Sequence, residues 1–162
     1  MNPTQAIPFE KLEIGDRWHG ECRTLTEAEL ALSCMLTTDW HPIHADEEFA
    51  KTTPIGRRMF HGTFGIAIAF GMATRYPELG DTVIAATGFT EWKYRAPLFI
   101  GDTVHVEVEI VGKRLTSDGK RGLIERRIRL CKHTGEIVQE GVAGTLVRIK
   151  GPSVAGDLRE RP

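Results

Sequence analysis

Gly62-Thr63-Phe64-Gly65-Ile66-Ala67-Ile68-Ala69-Phe70-Gly71-Met72-Ala73-Thr74-Arg75 is the stretch on which the fold turns. From Gly65 to Ala73 small and large residues alternate, which is the period of a strand. The run is nevertheless longer than a typical strand and rich in alanine, and a buried helix is apolar all round. Length and composition therefore predict a helix over 62–75, with Tyr76-Pro77 near its end and Gly80 in the following turn.

Downstream, Val104, Val106, Val108 and Ile110 alternate with His105, Glu107 and Glu109, and Ile124, Ile128 and Leu130 alternate with Glu125, Arg127 and Arg129. This is the pattern of half-buried antiparallel strands. Turn signals at Leu98-Phe99-Ile100-Gly101-Asp102, Ser117-Asp118-Gly119 and His133-Thr134-Gly135 divide the region into strands at 83–96, 103–114, 122–132 and 136–149, expected to run as a meander. Upstream, Thr26-Glu27-Ala28-Glu29 is a capping-box pattern. It starts a helix to about Thr37, with Leu30, Cys34 and Leu36 or Thr37 as its apolar stripe. Asp46 heads a second short helix through Phe49 and Ala50. A helix followed by a curved antiparallel sheet that can wrap around it is a single α+β domain over 1–150, and Gly151, Pro152 and Gly156 mark 151–162 as a loose tail.

At 162 residues the chain can bury one substantial core without staples. Its formal charge is −1, with Lys and Arg scattered along it, so no electrostatic footprint for nucleic acid is visible. Cys22, Cys34 and Cys131 share no CxxC spacing and read as buried free thiols. The N-terminus has no basic and apolar leader pattern, and the longest apolar run is too short and Gly-interrupted to span a bilayer. A cytoplasmic protein with no membrane partner is expected.

The chemistry concentrates in Asp39-Trp40-His41-Pro42-Ile43-His44. Pro42 fixes its own φ and pushes His41 toward extended geometry, so Asp39 and His44 are expected on a short rigid loop that is not helical. A carboxylate and an imidazole held this way suit general acid/base work. Other readings stay open at this point. Asp39 could organise the turn and His44 could be a satisfied core histidine, or Asp39, His41 and His44 could hold a metal. His19, His105 and His133 sit in strand or turn contexts that call for no special role.

This segment, with Asp46-Glu47-Glu48-Phe49-Ala50, Phe60-His61-Gly62, Tyr94-Arg95-Ala96-Pro97 and Gly101-Asp102 in the same order, resembles the MaoC-like hydratase/dehydratase family, which includes R-specific enoyl-CoA hydratases. The family motif reads roughly Gly-Asp-x-Asn-Pro-aliphatic-His. The resemblance implies a hot-dog fold, a homodimer, and addition of water to a trans-2-enoyl-CoA or its removal from a 3-hydroxyacyl-CoA. No metal or dissociable cofactor is implied, since coenzyme A belongs to the acyl-CoA substrate. Asp39 would be the base and His44 the acid, sharing one water, with the Gly62 N–H meeting the thioester oxygen. His61 would shape the loop. Arg57, Arg58, Lys93 and Arg95 are candidates for the coenzyme A phosphates, each with a solvated charge as its alternative. Thr38 and His41 stand where the family usually has glycine and asparagine, and His41, close to the substrate, would tune the pair. Two rivals remain: an acyl-CoA thioesterase, against which the absence of Asp or Glu from 62–75 counts, and a non-catalytic acyl-CoA-binding subunit.

Overall fold

A computed structural model describes residues 7–75 and 79–149 of the chain. Tyr76-Pro77 and the tail over 151–162 lie outside the described residues. After a 3-10 turn at Phe9–Lys11 come β1 (Arg17–His19), β2 (Arg23–Thr24), α1 (Glu27–Thr37), α2 (Pro42–Ala45), α3 (Glu47–Thr52) and α4 (Gly62–Ala73). Four long strands follow: β3 (Val83–Tyr94), β4 (Thr103–Leu115), β5 (Arg121–Lys132) and β6 (Ile137–Arg148).

The ambiguous stretch is a helix. α4 buries Gly65, Ile68, Ala69 and Ala73 and packs against β4 and β5. Its apolar residues join Leu25, Leu30, Phe60, Val104, Val106, Val108, Ile128, Leu130 and Val138 in one core. Each fully buried aliphatic side chain of this kind contributes about 1.5–3 kcal/mol relative to exposure. The opposite face of the sheet is charged: Glu109 accepts from Arg17 at 2.8 Å and from Arg127 at 3.2 Å, and these guanidinium groups, Arg17 first, hold its carboxyl below the usual range. An antiparallel sheet packed on a central helix is the hot-dog arrangement expected above.

The four-strand meander is not what forms. The order is β1-β4-β5-β6-β3, with β2 also on β4, so only β4, β5 and β6 run as a meander while β3 pairs with β6. The competing edge decides this. Arg17↔Glu109 and Arg23↔Val104 show the short β1 and β2 already occupying the side of β4 where β3 would have added. These two strands carry too few residues for a period to register in the sequence. The turn at Leu98–Asp102 is real, with Gly101 at φ 87° and the Phe99 N–H donating to Asp102 Oδ2 at 2.9 Å, but it ends a crossover and not a hairpin.

Three smaller expectations also change. Leu36 is exposed, and α1 buries Leu30, Ser33 and Cys34 instead. Cys22 is exposed, while Cys34 and Cys131 are buried and burial pushes the Cys131 thiol up to about 11. The segment after Asp39 is partly helical: Pro42 opens α2 at its first position, where a missing N–H and a fixed φ favour a helix over the expected loop.

Candidate active site

Glu29, the third residue of α1, ties the start of the helix: one of its oxygens accepts both the N–H and the hydroxyl of Thr26, at 2.8 and 2.9 Å. At the other end Thr38 adopts the left-handed conformation, φ 58°, and turns the chain so that Asp39 leaves the helix at once. Asp39 Oδ1 then accepts the His41 N–H at 3.1 Å, and His41 Nδ1 accepts the Ile43 N–H at 3.2 Å, capping α2. That single helical turn carries His44 back over Asp39.

His44 Nδ1 lies 2.7 Å from the Met59 carbonyl oxygen. A carbonyl only accepts, so Nδ1 carries the proton and Nε2 of the neutral ring is a bare acceptor. Nε2 stands 3.9 Å from Asp39 Oδ2, too far for a direct hydrogen bond and suited to a shared water. His61 lies beneath the pair. Its ring stacks on His44 with centroids 3.8 Å apart, its Nε2 donates to the Asp39 carbonyl at 3.0 Å, and its Nδ1 is 2.8 Å from Ser33 Oγ.

Electrostatics separate the two groups. The His41 N–H, first, and the nearby imidazoles hold the Asp39 carboxyl below its usual range. Burial, first, pushes the His44 imidazole below its ordinary value, and the bond to Met59 only partly offsets that. Near neutral pH the pair is a carboxylate beside an uncharged imidazole.

Both groups face a cavity of about 540 Å³ that Gly62, Tyr94, Leu98 and Gln139 also line. Gly62 is the first residue of α4, so its N–H is one of the donors that the helix leaves unpaired. A Cβ at Gly62 would come within 2.8 Å of the Tyr94 ring. Gln139, buried on β6, donates from Nε2 to the Gly62 carbonyl at 3.0 Å and accepts from Trp92 Nε1 at 3.1 Å, so the sheet holds the helix start in place.

Of the residues singled out in the sequence, Asp39, His44 and Gly62 meet at this cavity and Arg95 lines it. Arg95 is paired with Glu140 at 2.9 Å, and Arg58 spends its guanidinium on Glu27 and Glu47 at 2.7 and 3.0 Å. Arg57 lies over the Phe99 ring at 3.7 Å, and Lys93 is exposed on β3. At this cavity the trio with donor atoms close enough for a metal is Asp39, His44 and His61, without His41. It suits a metal poorly, because His61 Nε2 is already given to the Asp39 carbonyl and His44 Nδ1 to the Met59 carbonyl. Ser33 and Gln139 escaped the sequence reading. A serine on a helix and a glutamine in a strand carry no spacing signal, and only Gly65, small where Gln139 crosses, marks the approach.

Comparison with known proteins bears on the family and the fold. The family model described as MaoC like domain matches residues 12–127. The chain is 32% identical to the 3-hydroxybutyryl-CoA dehydratase of Methylorubrum extorquens, over 97% of this chain and 93% of that protein. It is 29% identical to the mesaconyl-CoA hydratase of Cereibacter sphaeroides over 86% of its own length, but spans only 40% of that longer protein. A crystal structure described as a monoamine oxidase regulatory protein from Archaeoglobus fulgius superposes with a TM-score of 0.84 at 31% identity, covering 93% of this chain and 100% of that one.

Proposed function

The chain belongs to the MaoC-like dehydratase family, and from that premise we propose that it reversibly hydrates a short trans-2-enoyl-CoA, with Asp39 and His44 as the catalytic pair. The observation that carries the reading is the 3.9 Å gap between Asp39 Oδ2 and His44 Nε2 on the wall of one cavity. The similarity to a 3-hydroxybutyryl-CoA dehydratase supports a short acyl chain.

One water donates a hydrogen bond to each group. Its oxygen forms the new bond to Cβ, the π electrons move onto the thioester carbonyl, and one water proton passes to His44 Nε2. The Gly62 N–H donates to the developing enolate oxygen, which is how an aligned helix start lowers the barrier. The imidazolium then returns its proton to Cα, and both groups regain their starting forms. His44 is thus the acid of the second half because it was the acceptor of the first. Asp39, held ionised, orients the water and stabilises the imidazolium, so in this reading His44 replaces Asp39 as the base. The chemistry calls for no separate cofactor. Two copies of the chain would join along β3, whose outer edge is exposed.

The test is a scan of enoyl-CoA substrates, following loss of the conjugated thioester absorbance. Asp39→Asn and His44→Ala should each lower turnover by roughly 10²–10⁴-fold with the fold intact. A well-folded variant of either kind that turns over the best substrate at the wild-type rate would overturn the assignment.

A further inference from the structure

On the outer face of the sheet, away from the cavity, three side chains from adjoining positions converge without hydrogen bonds to one another. His105 and Glu107 are alternate residues of β4 and so share a face, and Cys131 of β5 is the direct cross-strand partner of His105. Donor atoms of all three lie within 4.8 Å of one another. His19 of β1 is the cross-strand partner of Glu107 on the other side.

The separations are informative. Glu107 Oε1 is 3.6 Å from His19 Nδ1 and 3.8 Å from His105 Nε2, both beyond hydrogen-bonding range. Two donors bound to the same tetrahedral zinc stand roughly 3.3–3.6 Å apart, from the usual zinc–ligand lengths. His105 Nδ1 is itself buried with no hydrogen-bond partner. A buried ring nitrogen without a partner is costly, and an ion bound there would satisfy it. The remaining charge near Glu107 does not block that oxygen, because Arg129 approaches the other one, Oε2, at 3.8 Å.

We propose that His105, Glu107 and Cys131 bind a divalent transition ion of the zinc class, with water completing its shell. One sulfur, one imidazole and one carboxylate form a borderline-soft set that zinc and cobalt share, and magnesium and calcium do not. With ligands on β4 and β5, the ion ties these two strands together on the outer face. Its role is structural and independent of the proposed hydration.

Cobalt(II) is the probe, titrated into chelator-treated full-length protein. One equivalent should bind, with tetrahedral visible bands and a thiolate-to-cobalt charge-transfer band. Cys131→Ser should abolish the charge-transfer band, and His105→Gln should weaken binding by more than the roughly 10–100-fold that loss of a supporting partner costs. Cys22→Ser and His44→Ala should leave the spectrum unchanged, and zinc should raise the melting temperature of the wild type but not of His105→Gln. Failure of the wild type to take up cobalt or zinc stoichiometrically would overturn the proposal, as would a charge-transfer band that survives in Cys131→Ser or disappears in His44→Ala.

Discussion

Thr38 is held at φ 58°, where a side-chain Cβ crowds its own carbonyl and a left-handed residue costs about 1–2 kcal/mol. Glycine removes that crowding, and its extra freedom in the unfolded chain returns part of the gain. Thr38→Gly should therefore stabilise the protein by roughly 0.5–1 kcal/mol and raise its melting temperature by about 1–4 °C. An unchanged or lower melting temperature would show that the turn is not strained. His44 sets the acid limb of activity. Burial lowers its pKa, so Nε2 stays a free acceptor below the ordinary value of 6.5, and the limb in kcat/KM should have its midpoint under 6.5. The stability linkage has the matching sign: as pH falls through 6.5 the unfolded chain takes up this proton before the folded one, so stability declines until His44 also titrates. A midpoint at or above 6.5 would remove His44 from the role. His41 acts through the backbone, accepting the Ile43 N–H, and asparagine caps a helix equally well. His41→Asn should keep turnover within a few-fold; a large loss measured on the same substrate would mean that the imidazole itself meets the reacting groups.

The start of α4 depends on an approach that only glycine permits. A Cβ at Gly65 would collide with the Gln139 amide, the group that holds the Gly62 carbonyl. Gly65→Ala should displace Gln139, cost about 1–3 kcal/mol of stability and lower kcat more than it raises KM, because the Gly62 N–H is then misaimed. If kcat is unchanged in the folded variant, the Gln139 bond is ornamental to the site. How much of this was legible follows from the kind of signal each element carries. α1 announced itself through Thr26 and Glu29, and β4 and β5 through long alternation, because capping and half-burial are local and leave a pattern in the chain. Asp39, Pro42 and His44 were legible as a motif, yet the one-turn helix that folds His44 over Asp39 was not. A proline that starts a helix and one that stiffens a loop look alike until the following residues are seen to hydrogen-bond. Ser33 and Gln139 reach His61 and Gly62 only through tertiary packing, across 28 and 77 residues of chain.

Strand order is a property of the whole molecule, and it explains both the misread meander and the surface that remains. Once β1 and β2 cover β4, β3 is carried to the far side of β6 and becomes an edge strand of 12 residues. Val83, Ile84 and Phe89 are 45%, 45% and 52% exposed on it. A long apolar edge invites unwanted pairing unless something covers it, and a second copy related by a two-fold axis covers both edges with the same contact. Sedimentation at micromolar concentration should accordingly show a dimer. Ile84→Lys separates a true interface from a merely apolar surface. In an isolated chain a lysine at this exposed position changes stability by less than about 0.5 kcal/mol. At a dimer seam the same change buries an unpaired charge, and the protein should sediment as a monomer with a lower melting temperature. A wild-type monomer that is stable and active, or an Ile84→Lys dimer indistinguishable from wild type, would place the interface elsewhere or dispense with it.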